Sequence, residues 1–580
     1  MATLCRTPKP DSINSGPYIW SLSRKAADLY GCSPAQRGIF RAASAKLVLS
    51  SWGRTFAAAE EQTTVDQDLF YQTAKVTSVD VFVSHSWAAD RWAKLLAMCF
   101  FLNLGTAIKA TVAAVILSEI VVAFLPDPSL SVMYFAVMDI PMLAFLLAFF
   151  FGHRLTCGLW CPNLWVDRLC VHQTDPLYKS KGIEGLPTFV ACSSQLLMLW
   201  DQTYFDRLWC MLELSIFVKC RGLKGLRFVP LWLPPWLLGQ MLFAYIGSRL
   251  LAIAVACAPD SGINDTATYR AVYGDTFQWG VQRCLSYLRD CQSYLVFLVP
   301  SVVISVVFMP RKIEGHKLML ENMRLFDIRD AKCALESDRR TIQMQVAELF
   351  DGLEEPTVSV ALDTESTCES WDDEVALLHS YDPVLSHANR LAARAATGYP
   401  DLEACLKSFN EYIRTELSKA IVEEFGSELD LPWAICALTC LPHTLGFIGL
   451  SWAGRPLFGK LGFESLGQYL IITMLQYCSL GVLFLPVAHP ILLRVMNWLA
   501  AGPAMLSSIA AFGMGVLTYS FLLYFDTFAA GAVEAFGLTM HPAFLFAYLL
   551  SLSLIAFIHF QLFGRPRWQV QRKIPADAED

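Results

Sequence analysis

Eight apolar segments, each close to the length that crosses a lipid bilayer, constrain this 580-residue chain more than any other feature. A helix needs about 20 mostly apolar residues to pass through about 30 Å of hydrocarbon. The chain is 55% hydrophobic and only 17% charged, whereas soluble proteins carry about 25% charged residues. We therefore predict a polytopic membrane protein, in contact with the lipid bilayer, with spans at 104–125, 131–152, 236–257, 291–310, 432–452, 467–488, 502–524 and 541–562.

The charge balance and the cysteines argue against several other classes. The formal net charge is −7, whereas a nucleic-acid-binding protein needs a clustered basic excess, so we expect no nucleic-acid partner. Eighteen cysteines in 580 residues are too sparse for a disulfide scaffold. Cys157/Cys161 and Cys436/Cys440 are each spaced to share one helix face, which favours packing, and we expect no metal site. The N-terminal residues hold no apolar run, so we expect no cleavable signal peptide.

Lysine and arginine residues beside the spans orient the chain. If the spans alternate, the basic flanks of spans one to four and of span eight fall on one side, which the positive-inside rule makes cytoplasmic. We predict that both termini and the soluble parts lie there, in a membrane that the sequence does not specify, and that 258–290 lies outside. The sequon at Asn264 falls in this outside loop and predicts its glycosylation. Arg455 and Lys460, in the 453–466 loop, disagree with this topology.

Ionisable residues inside the predicted spans are few. Arg249 lies near the middle of span three and needs an acidic partner, for which Asp139 in span two is the candidate. Lys109 and Glu119 lie near opposite ends of span one and can reach water. A structural ion pair is favoured over an ion pathway, and the scarcity of charge in spans five to eight argues against an ion-coupled transporter.

Three further soluble parts carry no motif. Residues 1–78 are polar with a helix-like segment around 35–60, and 563–580 form a tail. Residues 311–431 form a predicted cytoplasmic loop whose two ends have helical apolar spacing. Between these ends, 351–374 contains nine acids and no base, which is typical of a solvated linker; calcium binding is the alternative, although the spacing of an EF-hand loop is missing.

The remaining soluble sequence predicts an α/β domain that a transmembrane hairpin, 104–152, interrupts. Its two pieces, 79–103 and 155–232, emerge on the same side of a hairpin and can fold together. Strands alternate with helices in this sequence, which predicts a parallel sheet with right-handed crossovers and a ligand site at the carboxyl ends of its strands. The predicted strands are 79–85, 163–171, 195–200 and 226–232.

Three sequence blocks of this region resemble the Toll/interleukin receptor (TIR) domain family. The first is a strand ending in Ser-His-x, the second a Trp-x-Asp strand, and the third a Ser and a Tyr in fixed register with Trp-Cys-x-x-Glu-Leu. The matching residues are Val81 to Ser86 with Asp90, Leu164 to Asp167, and Ser193, Tyr204 and Trp209 to Leu214. The resemblance covers about 100 of the 580 residues and implies a TIR-like parallel-sheet fold, in which the membrane hairpin replaces a short link.

The resemblance also implies an activity, because many TIR domains cleave NAD between nicotinamide and ribose. The family's catalytic glutamate corresponds to Glu213. Loss of nicotinamide leaves an oxocarbenium-like ribose, which a nearby carboxylate can stabilise. The nicotinamide of NAD is already a cationic leaving group and needs no general acid. NAD would be a substrate, so we expect no bound cofactor.

The same resemblance suggests which residues bind the substrate. Ser84, His85 and Ser86 follow the first strand and are placed to line a nucleotide cleft, while Lys179 and Lys181 could meet its phosphates. TIR sites are often completed between neighbouring subunits, so we expect a homo-oligomer formed through the TIR-like domain.

Three functions from different classes therefore stay open. The chain could be a membrane-anchored TIR-type NAD nucleosidase active in signalling. It could instead be a catalytically silent scaffold that recruits proteins at a membrane, which would not require Glu213. The third alternative is a channel or transporter that the TIR-like domain regulates.

Overall fold

The computed structural model describes residues 39–57, 69–76, 78–125, 129–155, 162–257, 276–333, 335–350, 401–499 and 504–564. The described chain is mostly helical and contains one mixed sheet of six strands. The strands are β1 Arg41–Ser44, β2 Ala74–Lys75, β3 Val79–His85, β4 Asn163–Trp165, β5 Ser193–Trp200 and β6 Leu226–Pro230. The α-helices are α1 Ala45–Leu49, α2 Arg91–Ala123, α3 Leu130–Tyr134, α4 Ile140–Leu155, α5 Asp167–Cys170, α6 Pro176–Glu184, α7 Leu186–Ala191, α8 Leu208–Arg221, α9 Leu233–Cys257, α10 Thr276–Arg324, α11 Glu336–Leu349, α12 Leu402–Tyr412, α13 Ser418–Phe425, α14 Trp433–Thr439, α15 Leu441–Gly454, α16 Leu466–Ser479, α17 Leu485–Leu499, α18 Ala504–Thr539 and α19 Pro542–Phe563.

The chain divides into two compact units. The first, called here the sheet unit, comprises Met1–Leu104, Phe151–Leu233 and Leu318–Ile421. The second, called the helical unit, comprises Gly105–Phe150, Pro234–Lys317 and Val422–Asp580.

In the sheet unit, the strands lie in the order β2-β1-β4-β3-β5-β6. The four strands β4, β3, β5 and β6 are parallel, as the alternation of strands and helices predicts. β3 and β5 are almost entirely buried apolar runs, which suits central strands that are covered on both faces. The chain passes from β3 to β4 on one side and then crosses to β5 on the other side, so the strand order reverses beside β3. Ligands of such sheets bind where this reversal occurs, at the carboxyl ends of the strands.

Two parts of the sheet differ from the sequence prediction. β4 ends at Trp165 because Asp167 begins the short helix α5, so the predicted strand 163–171 is too long. The polar region 1–78 contributes β1, which pairs antiparallel with β4, and β2, which extends the edge. β1 has the sequence Arg-Ala-Ala-Ser, too short and too poor in branched residues to show strand periodicity.

Two helices of the predicted 311–431 loop, α11 and α12, also belong to the sheet unit. α11 packs against α8 on one side and against α12 on the other. The backbone N–H of Leu208, at the start of α8, donates to the carbonyl of Lys332 over 3.0 Å. Near the other end of α8, the Lys219 ammonium lies 4.3 Å from the centre of the Phe350 ring. The acidic block 351–374 lies outside the described residues.

Among the described residues, six helices are long and apolar enough to cross a membrane. They are Arg91–Ala123, Ser131–Leu155, Leu233–Ala254, Leu466–Leu499, Ser508–Thr539 and Pro542–Phe563. Each overlaps one predicted span, which is compatible with an integral multi-pass membrane protein. The predicted span 291–310 lies inside the 49-residue helix α10.

The predicted span 432–452 is not one continuous helix. It divides into α14 and α15 around Cys440. Pro442 explains the break, because its ring clashes with the carbonyl four residues earlier and it supplies no N–H donor. Neither piece is long enough to be a membrane span by itself.

The predicted ion pair between Arg249 and Asp139 is present. Their closest nitrogen and oxygen atoms lie 3.6 Å apart, and the Tyr245 hydroxyl donates to the other Asp139 oxygen over 2.9 Å. Arg455, which disagreed with the predicted topology, donates to the carbonyls of Val122 and Leu125. It therefore caps the carboxyl end of α2, a role that is independent of the positive-inside rule.

Candidate active site

The candidate site lies at the carboxyl ends of β3 and β5, where the strand order reverses. Ser84 and His85 end β3, Tyr204 lies in the turn after β5, and Glu213 lies in the second turn of α8. Because β3 and β5 are parallel neighbours, with His85 paired to Leu199, the segments that follow them meet at one edge of the sheet. The fold thus brings together residues that are 129 positions apart in sequence.

Ser84 connects the two other polar groups at this edge. Its hydroxyl donates to Glu213 Oε2 over 2.5 Å, and its oxygen lies 2.7 Å from the Tyr204 hydroxyl. Ser84 and Tyr204 are fully buried, whereas Glu213 is partly exposed. One hydroxyl therefore fixes the position of the Glu213 carboxyl group.

The environment of Glu213 makes its charge costly. Burial raises the pKa of this carboxyl to about 8; the hydrogen bond from Ser84 opposes the rise, and the negative charge of Asp167 adds to it. Among the described residues, no arginine or lysine contributes to the shift. A carboxyl group with a pKa near neutrality and no paired cation is typical of functional sites, because a positively charged ligand can then supply the missing partner.

A second set of hydrogen bonds lies beside this cluster. The Thr203 hydroxyl is 2.8 Å from the Ser86 oxygen and 2.9 Å from Asp201 Oδ1. Ser86 is fully buried, and burial raises the pKa of Asp201. Ser86 therefore stabilises the turn after β5 through this hydrogen bond and does not face a cleft in this structure.

His85 is enclosed by aromatic rings. Its imidazole lies 5.5 Å from the Phe56 ring and 5.3 Å from the Trp87 ring, centre to centre. Burial lowers its pKa, so the ring is neutral at neutral pH. Nε2 lies 3.7 Å from Asp167 Oδ1, and neither ring nitrogen makes a hydrogen bond with the described residues. His85 is therefore a buried neutral group at the end of β3.

Lys179 and Lys181 lie on α6, which Asp175 caps at its amino end. Lys179 is exposed and Lys181 is partly exposed. No contact within the described ranges joins either lysine to Ser84 or Glu213, so their proposed role at the phosphates stays a prediction. Asn264, the predicted glycosylation site, lies outside the described residues.

The hydrogen-bonding roles of Thr203 and of the Tyr204 hydroxyl were not predicted from the sequence. Tyr204 belongs to the quoted motif, but only its register was used. Lys94 was also missed: it is fully buried, and its ammonium reaches the carbonyl of Trp87 over 3.4 Å. A lysine on an otherwise apolar helix start could have marked it. Among the described residues, no group of three or more His, Cys, Asp or Glu side chains is arranged to hold a metal ion.

Comparison of the chain with protein-family models, with curated proteins and with solved structures gives no match.

Proposed function

We propose that this chain is a membrane-anchored TIR-type enzyme that cleaves NAD at the bond between nicotinamide and ribose, with Glu213 as its catalytic residue. The observation that carries the proposal is the Ser84–Glu213 hydrogen bond at the point where the strand order reverses. Glu213 thus belongs both to the sequence motif that suggests the activity and to the geometry of a ligand site.

The proposed reaction needs one ionised carboxylate. As the bond to nicotinamide breaks, its electron pair leaves with the neutral nicotinamide, and positive charge develops on the ribose. Ionised Glu213 stabilises that charge, and water then attacks the ribose to give ADP-ribose. Ser84 holds one carboxylate oxygen, which leaves the other free to face the sugar. The cationic ring of bound NAD favours ionisation of Glu213 and so offsets the effect of burial.

Ser84, His85 and Ser86 would then support the nucleotide from behind and beside Glu213, and Lys179 and Lys181 would contact phosphates. Because these lysines are not joined to the cluster, we propose that substrate binding or assembly of a homo-oligomer completes the site. Protein chains that are held in one membrane plane have a higher effective concentration than in solution, which favours such assembly.

The test is release of nicotinamide by the purified full-length protein in lipid nanodiscs. Wild type should turn over NAD, and Glu213→Gln should lower the rate by about 10²–10³, as loss of one electrostatic group does at other active sites. Glu184→Gln is the matched control, since it removes an exposed carboxylate of α6 in the same unit. Equal rates for wild type and Glu213→Gln would contradict the assignment of the catalytic residue.

A silent scaffold is the second candidate, and one observation favours it. Ser84, His85 and Ser86 are all buried, as they would be in a domain that binds proteins and not a nucleotide. If wild type releases no nicotinamide at any concentration in the membrane, the scaffold replaces the enzyme as the proposed function.

We also propose that the sheet unit and both termini face the cytoplasm and that Asn264 is glycosylated outside it. Endoglycosidase treatment should increase the electrophoretic mobility of wild type but not of Asn264→Gln. A protein of unchanged mobility whose 258–290 loop is cut by protease from the cytoplasmic side would contradict this topology.

A further inference from the structure

The helical unit contains ionisable side chains that the proposed enzyme does not use. Tyr519, Asp526 and Glu534 of α18 are 3%, 5% and 3% exposed. Spacings of seven and eight residues place them on one side of the helix, over about 22 Å of its length. The sequence prediction ended this span at residue 524 and so treated it as free of acids, but α18 continues to Thr539 and carries both acids into the unit.

Glu534 forms one end of this row of side chains. Arg283 Nε donates to its Oε1 over 2.7 Å. The Tyr287 hydroxyl donates to Oε2, and Gln476 Nε2 donates to the same oxygen over 3.2 Å. These partners come from α10 and α16, so three helices meet at one carboxylate.

Asp526 lies about two helical turns before Glu534 on α18 and has fewer hydrogen-bond partners. Its Oδ1 is buried and makes no hydrogen bond with the described residues. Tyr548 of α19, whose hydroxyl is hydrogen bonded to Ser479, lies within electrostatic range of Asp526. A buried carboxyl oxygen without a donor is able to accept a proton.

Two buried histidines continue the row. Tyr519 lies close to Ser305 of α10, and the Tyr519 ring lies 6.5 Å from the His489 ring, centre to centre. His489 Nε2 lies 2.8 Å from the Thr439 hydroxyl, while its Nδ1 is buried and unpaired within the described chain.

His443 is bonded at both ring nitrogens. Nδ1 lies 3.1 Å from the Ser248 hydroxyl, and Nε2 lies 3.4 Å from the Ser301 hydroxyl. Ser301 is one helical turn from Ser305, and Ser248 and His443 line a small cavity with room for about one water molecule. The two histidines are close enough to interact electrostatically.

Charged groups form the other end of this row of side chains. Lys312 lies two turns beyond Ser305 on α10 and donates to the carbonyls of Ser427 and Glu428. On α17, Arg494 lies five residues beyond His489, and one of its nitrogens is 3.1 Å from Asp430 Oδ1. The row thus begins and ends in charged clusters that are separated by protonatable side chains.

We propose that this row is a proton path through the helical unit. Ionisable side chains are costly in a bilayer and are typical of proton and ion routes when they face the inside of a helix bundle. Asp526 Oδ1 and His489 Nδ1 are buried and make no hydrogen bond with the described residues, so each is able to exchange a proton. Neighbours on α18 lie about 10–12 Å apart along the helix, so water molecules must relay the proton between them. In each hop a proton leaves one oxygen or nitrogen and binds the next, so no bond to carbon changes and no electron is transferred. The membrane potential or a pH gradient supplies the driving force.

The experiment measures proton flux in phosphatidylcholine vesicles that contain the full-length protein and a trapped pH-sensitive dye. Under a pH gradient, with valinomycin and potassium to balance charge, wild-type vesicles should change internal pH faster than protein-free vesicles. Asp526→Asn and His489→Gln should each lower the flux by about tenfold or more, because each removes one step of a serial path. His559→Gln is the matched control: this histidine of α19 bonds to the Leu483 carbonyl, outside the row, and its flux should match wild type.

Two results would overturn the proposal: wild-type flux equal to that of protein-free vesicles, or wild-type flux in both folded variants. Monodisperse gel filtration establishes folding, and if only one of the two variants folds, its flux decides. Glu213→Gln should conduct like wild type, and Asp526→Asn should cleave NAD like wild type, so the failure of either proposal is distinguishable from the failure of the other.

Discussion

The two units bury carboxyl groups in different ways, and Glu213 and Glu534 show the contrast. In the sheet unit, Glu213 has one neutral hydroxyl donor and no cation. In the helical unit, Glu534 has an arginine, a tyrosine and a glutamine. A buried carboxylate that stays ionised needs such partners, whereas a catalytic carboxylate must leave its charge available to the substrate. In the proposed function, Glu213 is the group that is available to a positively charged ligand.

The largest effect on stability should follow from removing Arg283, the cationic partner of Glu534. Arg283→Ala leaves a carboxylate that is only 4% exposed without its cation, which typically costs about 3–5 kcal/mol of unfolding free energy. Thermal unfolding in detergent should therefore shift strongly to lower temperature. Arg329→Ala is the control, since it removes the ion pairs of an exposed arginine, which contribute little to stability. Equal shifts for the two variants would remove the contrast drawn above.

Glu213→Gln should have the opposite effect on stability at alkaline pH. The pKa of Glu213 is about 8 in the folded protein and about 4.3 in an unfolded chain, so between these values the folded state binds more protons. Stability therefore falls as pH rises through this window. Glutamine stays neutral, so the variant should unfold at a higher temperature than wild type above about pH 8 and at nearly the same temperature near pH 4. A variant that is less stable than wild type at alkaline pH would show that the ionised form is well paired.

Ser84→Ala should weaken catalysis without abolishing it. The variant removes the hydrogen bond that orients Glu213 Oε2, and hydrogen bonds to charged groups are worth about 1.5–3 kcal/mol. We expect kcat/KM for NAD to fall by about 10- to 100-fold. Ser180→Ala, which removes an exposed hydroxyl of α6, should have no effect. A fall as large as that of Glu213→Gln would indicate that Ser84 itself takes part in the reaction.

The smallest expected effect concerns the helix that carries Glu213. Lys219→Met removes the cation–π contact with Phe350 and should cost about 0.5–1 kcal/mol of stability. Lys224→Met, at an exposed position just beyond α8, is the control. Chemical denaturation of the wild type and both variants gives the difference. No difference between the variants would show that α11 does not stabilise α8 through this contact.

Sequence patterns predicted those parts of the fold that have strong periodicity. β3 and β5 are long apolar runs and were predicted to within two residues, whereas β1 consists of four residues that a loop could equally contain. The break at Cys440 follows from Pro442, but hydropathy alone joined α14 and α15 into one span. Asp526 and Glu534 of α18 were missed, because hydropathy falls at Asp526 and the predicted span therefore ended at residue 524. The helix itself continues to Thr539.

The candidate site was predicted in part. Parallel topology and the sequence motif predicted that Ser84 and Glu213 would approach each other at the carboxyl ends of the strands. The sequence gives no means to predict that Ser84 donates directly to Glu213, or that His85 and Ser86 are buried. These features depend on side-chain packing between β3, the turn after β5 and α8, which are far apart in the chain.

The pH dependence of NAD cleavage tests the central claim, that Glu213 is a catalytic carboxyl group with no cation paired to it, most directly. Because only the ionised form stabilises the ribose cation, kcat/KM for nicotinamide release should rise about tenfold per pH unit and level off above the pKa of Glu213, at about 8. Glu213→Gln should show a low rate with no such rise. A wild-type rate that is constant between about pH 6 and pH 9, or a Glu213→Gln variant that keeps the wild-type profile, would contradict the account.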